Sequence, residues 1–133
     1  MATYTAVSAA TTHSVSAKLA TDSIMDNLTA LTPKYAWVDA AAGGDTDVVA
    51  LVSSKKIRVL AAYAVTGATA TAVYFKTKAT GTHLTATFAN AANGGEILPF
   101  CPVGWFQTLS GEALTVTLGA GSATGIGVVY VEV

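Results

Sequence analysis

The sequence predicts an all-β fold, a β-sandwich or jelly roll of about eight antiparallel strands behind an N-terminal arm or short helix. Three observations carry this. From Tyr35 onward, short runs alternate side chains with a period of two. Turn signals at Gly43-Gly44, Gly67, Gly81, Asn93-Gly94-Gly95, Gly104, Gly111 and "GAGSATG" at 119–125 separate these runs at intervals of roughly 7 to 25 residues. No helix-length periodicity lies between them, which argues against a parallel α/β sheet.

The elements follow in order. Residues 1–32 are rich in Ser, Thr and Ala, and the first fifteen read as an extended arm. Ala17, Ala20, Ile24, Leu28 and Leu31 recur at spacings of three and four, a thin apolar stripe for one short helix. Asp22 and Asp26 fall near its start, where the helix dipole favours carboxylates; without a third ligand they read as a solvated face, not a metal site. The chain then divides near Pro33 into an arm, 1–32, and a β-domain, 33–133.

In "YAWVDA", Tyr35, Trp37 and Asp39 alternate with Ala36, Val38 and Ala40. The glycines of "AAGGD" make a turn, and "TDVVALV" follows. In "IRVLAAYAV" the period of two puts Ile57, Val59, Ala61, Tyr63 and Val65 on one face and Leu60, Ala62 and Ala64 on the other. Both faces are apolar, so the strand is expected in the middle of a sheet. "TAVYFKTK" and "THLTATF" read as half-exposed strands. "ALTVTL" points Leu114, Val116 and Leu118 inward and Thr115 and Thr117 outward, and "GIGVVYVEV" is a final apolar strand.

Composition bounds the function. Hydrophobic residues make up 52% and charged residues 11% of the 133, with a net charge of −1. Mean hydropathy is +0.52. Ordinary soluble domains carry about 25% charged residues. A chain so sparsely charged is expected to have part of its outer surface covered by other subunits. The only basic cluster is Lys55-Lys56-Arg58, too little for nucleic acid. No run reaches the 18 apolar residues of a membrane helix. The N-terminus lacks the basic start and apolar core of a secretory signal, so synthesis in a cytoplasm is expected.

Chemistry is sparse. Cys101 is the only cysteine and lies between Phe100 and Pro102, which reads as a buried structural thiol. Of the two histidines, His13 falls in the arm and His83 follows a turn glycine, where it faces solvent. A His83–Cys101 dyad has little to support it. Asp45-Thr46-Asp47 alternates carboxylates as calcium loops do but lacks the later ligands, so a turn is the better reading. "GAGSATG" lies between two strands and has no P-loop lysine, which makes it a hairpin connection. Nothing points to an enzyme, a metal or a cofactor.

The segment "EILPFCPVGWFQTLSGEAL", 96–114, carries the strongest signal. Pro99 and Pro102 remove two backbone donors, so it cannot be a central strand and should run between sheets or along an edge. Trp105 and Phe106 are adjacent, so one ring can enter the core while the other faces outward, or both can close the end of the sandwich. An outward ring suits a subunit contact or a sugar platform. Only Gln107 and Glu112 lie near to pair with sugar hydroxyls, and the low charge favours the contact.

"KKIRVLAAY", then "NGGEILPFCPVGWFQTLSGEALTVTL", then the terminal "GVVYVEV" resemble, in that order, a group of small structural proteins of tailed bacteriophages. The resemblance covers roughly Trp37 to Val133. It implies a virion protein with a β-sandwich or jelly-roll fold, either a trimeric head-decoration (cement) subunit on the outer capsid or a receptor- or carbohydrate-binding fibre module. Its expected partners are two further copies of itself and the major capsid protein. The expected contacts are Phe100, Trp105, Phe106 and Tyr130, with Ile24 and Leu28 in the segment that docks on the capsid.

Overall fold

The computed structural model describes residues 24–26 and 29–133. The chain divides into two units, Met1–Pro33 and Lys34–Val133. In the first, β1 (Ile24–Asp26) pairs antiparallel with β2 (Thr29–Leu31), placing Ile24 opposite Leu31. Ile24 and Leu31 are therefore extended, not helical as the stripe implied. β-branched Ile24 and Thr29 favour strands, and a short helix with so few large apolar residues is marginal in water. Ala17, Ala20, Asp22 and Leu28 lie outside the described residues.

The second unit holds β3 (Lys34–Ala40), β4 (Gly44–Val49), β5 (Ile57–Thr66), β6 (Thr71–Thr77), β7 (Phe88–Asn90), β8 (Gly95–Leu98), β9 (Phe106–Gln107), β10 (Leu114–Leu118) and β11 (Thr124–Glu132). One sheet has the order β3-β11-β5-β8, with β9 also on β5; the other has the order β4-β10-β6-β7. With β9 set aside, the pairs nest: first with last (β3·β11), second with seventh (β4·β10), third with sixth (β5·β8), fourth with fifth (β6·β7). A hairpin ribbon rolled on itself gives this order, and the fold is a jelly roll.

The core fills the space between the sheets. Ile57, Val59, Ile126 and Val128 meet Val73, Phe75, Leu114 and Val116 across it. Phe75 and Phe106 pack with ring centroids 5.2 Å apart and their planes tilted by 35°. Thr115, expected outward, is buried, because its Oγ1 is bonded to Asp47 Oδ1 at 2.6 Å. Asp45 accepts from Thr117 Oγ1 and from Lys76 Nζ. The "DTD" run is thus part of strand β4, tied to β10 by hydroxyl–carboxylate bonds, and not the expected turn.

A bulge decides which face β5 shows to water. Val129 lies opposite Ala61 and Tyr130 opposite Val59, so Leu60 is the extra residue. The alternation flips there: Ile57, Val59, Ala62 and Ala64 are buried, while Tyr63 and Val65 are exposed. The uninterrupted period of two assigned Ile57 and Val65 to one face, and the bulge overturns that. Other expectations also change. Of "THLTATF", only Phe88 joins a strand; residues 82–87 are irregular apart from a single bridge from His83 to Lys76. The "GAGSATG" loop carries the chain from one sheet to the other and is not a hairpin turn.

Candidate functional site

The crossover between β8 and β10 runs along the edge of β5. Cys101 N donates to Leu60 O at 2.8 Å, Trp105 N to Val59 O at 2.8 Å, and Thr108 N to Ile57 O at 3.0 Å. Gly104 turns the chain at φ +89°, and the Arg58 side chain lies over it: a Cβ there would come within 2.6 Å of Arg58 Cγ. Trp105 is half exposed and its Nε1 donates to Pro99 O at 2.7 Å, pinning the two ends of the crossover together.

The expected contact residues therefore part company. Phe100 and Trp105 are exposed, as a contact surface requires. Phe106 packs against the core beside Phe75, and Tyr130 is buried within it, so neither presents its ring to a partner. Adjacent residues of an extended chain point to opposite sides, which sends Phe106 inward once Trp105 faces out; Tyr130 shares the inward face of β11 with Val128. Ile24 lies in β1, and Leu28 is outside the described residues. Cys101 is half-buried, not fully buried as expected, with Sγ 3.8 Å from Gly104 O. His83 is exposed and stacks on Tyr74 at 4.1 Å, on the sheet opposite the one that carries Cys101. Among the described residues no group of three or more His, Cys, Asp or Glu converges.

The principal surface is one that the sequence did not single out. The outward face of the β3-β11-β5-β8 sheet is apolar across its middle rows, with Asp39 at one corner. Register aligns Trp37, Gly127, Tyr63 and Ile97 in one row across the four strands. The next row aligns Tyr35, Val129 and Ala61, and Phe100 closes the far side of the same concavity. Trp37 is 64% exposed, Tyr35 57%, Ile97 78% and Phe100 57%. Gly127 forms the floor, with the Tyr63 ring lying across it: a Cβ at this position would come within 2.1 Å of Tyr63 Cε1. The Tyr63 hydroxyl reaches the Tyr35 hydroxyl at 2.7 Å, and this bond, with some desolvation, holds the Tyr35 phenol above its usual pKa. The result is an open concavity of about 910 Å³.

Aromatic side chains bury roughly 150–250 Å² each, so this face exposes on the order of 600 Å² of apolar surface. That is at the upper limit of the largest patch on a typical monomer. The sequence held part of the signal, for β3 alone: Asp39 shares the alternating face of Tyr35 and Trp37, and a carboxylate marks the side toward water.

No protein-family model matches the chain, and no curated protein matches it. Among solved structures, the chain is similar to one from Bacillus endospore appendages, described as disulfide-linked pili, at 15% identity and a TM-score of 0.45, covering 77% of this chain and 86% of that one. It is also similar to a chain of the virus-like particle of Macrobrachium rosenbergii extra small virus, at 10% identity and a TM-score of 0.42, covering 77% of each. A third is a chain of the cyanophage Pam1 capsid asymmetric unit, at 12% identity and a TM-score of 0.41, covering 76% of this chain and 85% of that one. Likeness of this order does not extend to function.

Proposed function

We propose that the protein is a virion structural subunit of the head-decoration type, which assembles with copies of itself, as a trimer, and holds capsid subunits together. The observation that carries this is the apolar outer sheet face, with Trp37, Tyr63 and Ile97 in one row. The 11% charged composition and the phage-like order of motifs along the β-domain support it. Covering about 600 Å² of apolar surface yields on the order of 15 kcal/mol gross per copy at ~25 cal/mol per Å². Ordering and lost freedom offset most of this. What remains suits an assembly that works by multivalent contact and needs no chemistry.

Sedimentation at micromolar concentration tests the self-assembly, and co-sedimentation with expanded capsids tests the decoration role. Trimers or larger species that bind capsids are expected. A chain that stays monomeric and ignores capsids refutes the reading. Removing residues 1–32 should leave self-assembly intact and abolish capsid binding. The exposed Trp105 keeps a fibre or carbohydrate-binding role as the second reading. Glycan-array binding lost on Trp105→Ala would favour it.

A further inference from the structure

We infer that the edge of β3, which no strand among the described residues pairs, joins β3 of a second copy, antiparallel and centred on Trp37. The jelly roll leaves four strand edges, and three of them are guarded. β4 carries Asp45 and Asp47 along its length. β7 has three residues. β8 has four, runs into Pro99, and turns the Glu96 carboxylate away from solvent. Short strands, prolines, edge charges and inward-pointing charges are the devices that keep sheet edges from pairing.

β3 follows Pro33 and carries Lys34 and Asp39 near its ends, but its middle has none of these devices. It pairs with β11 over seven residues with no register shift, and Tyr35 to Val38 contain no charge and no proline. An unguarded edge of this kind is a template for another strand. Overlap sets the register, and charge is compatible with it. Centring the pair on Trp37 uses the whole strand and sets Asp39 opposite Tyr35 of the second copy and Lys34 opposite its Ala40, so no like charges meet. A register shifted by two residues along each strand sets Asp39 opposite Asp39. The chosen pairing also makes the apolar outer face continuous through the two Trp37 rings.

This contact joins copies in pairs. It rests on the self-assembly reading, and together with a three-fold contact through the outer face it links trimers to one another. The test uses Trp37→Lys and Trp37→Glu, each shown to be folded by its thermal transition. Each variant alone should lose the pairwise contact, with at least tenfold weaker association by sedimentation. A one-to-one mixture should recover it, because position 37 faces itself across the two-fold axis. Ile97→Lys, on the opposite edge strand, should spare the pairwise species. Variants that associate as the wild type does, or a mixture that fails to recover, overturn the edge pairing. If Ile97→Lys abolishes all association and the mixture gives no rescue, copies meet only through the face: self-assembly then stands and the edge pairing falls. A monomeric wild type removes both.

Discussion

At the scale of single residues, two side chains carry tension between folding and surface. Gly127 is the only residue type that lets the Tyr63 ring lie flat on β11. Gly127→Ala pushes the ring outward and breaks its bond to Tyr35 at little cost to the core. A loss of about 1 kcal/mol is expected, with a larger change in self-association than in melting temperature. Glu96 is the other case. Burial raises its carboxyl pKa above the ordinary 4.5, and the Asn90 amide opposes this in part. A raised acid favours folding in its protonated form. Its favourable contribution is complete below 4.5 and is lost as pH rises through the raised value. Glu96→Gln should therefore melt higher than the wild type at pH 7, and the gap should close as pH falls toward the ordinary carboxylate range. Asp45 and Glu112 run the other way. Thr117 and Lys76 hold the first below its ordinary value, and Lys78 and Thr77 the second, so their contributions are lost as pH falls. Thermal scans across pH separate the two signs.

At the scale of elements, the strands were legible where alternation runs unbroken. β3, β6, β10 and β11 lie close to where the period of two placed them. β5 was found, and so was its central position, but its faces were not. A single extra residue at Leu60 inverts the alternation, and nothing local in "RVLAAY" marks it; the bulge arises from pairing with β11. β8 was absorbed into the crossover because two prolines follow close behind it. The proline argument did place the 99–105 segment correctly, along an edge and not within a sheet. Gly104 is the hinge of that segment. Gly104→Ala meets both an unfavourable positive φ and the Arg58 side chain, and should cost about 1–3 kcal/mol in chemical denaturation. Hydrogen exchange should then rise first at the amides of Cys101 and Trp105, whose bonds to β5 it loosens.

At the scale of the whole molecule, composition told more than motif did. The excess of apolar residues over charges predicted a covered surface, and an exposed apolar sheet face is present. Which face it would be was beyond the sequence, because Tyr35, Trp37, Tyr63 and Ile97 come together only through the nested strand order. That nesting has a mechanical consequence. The first and last strands of the jelly roll lie side by side, with Lys34 opposite Tyr130 and its Nζ 2.6 Å from Glu132 Oε1. A force that pulls Lys34 and Val133 apart peels β3 from β11 one rung at a time, whereas traction applied across the flank of the sheet must shear many rungs together. Optical-trap stretching should find the domain yielding at much lower tension through its ends than through handles on its sides. On the proposed reading, load borne by the subunit would pass through the flanks of the jelly roll and leave the junctions at Lys34 and Val133 slack.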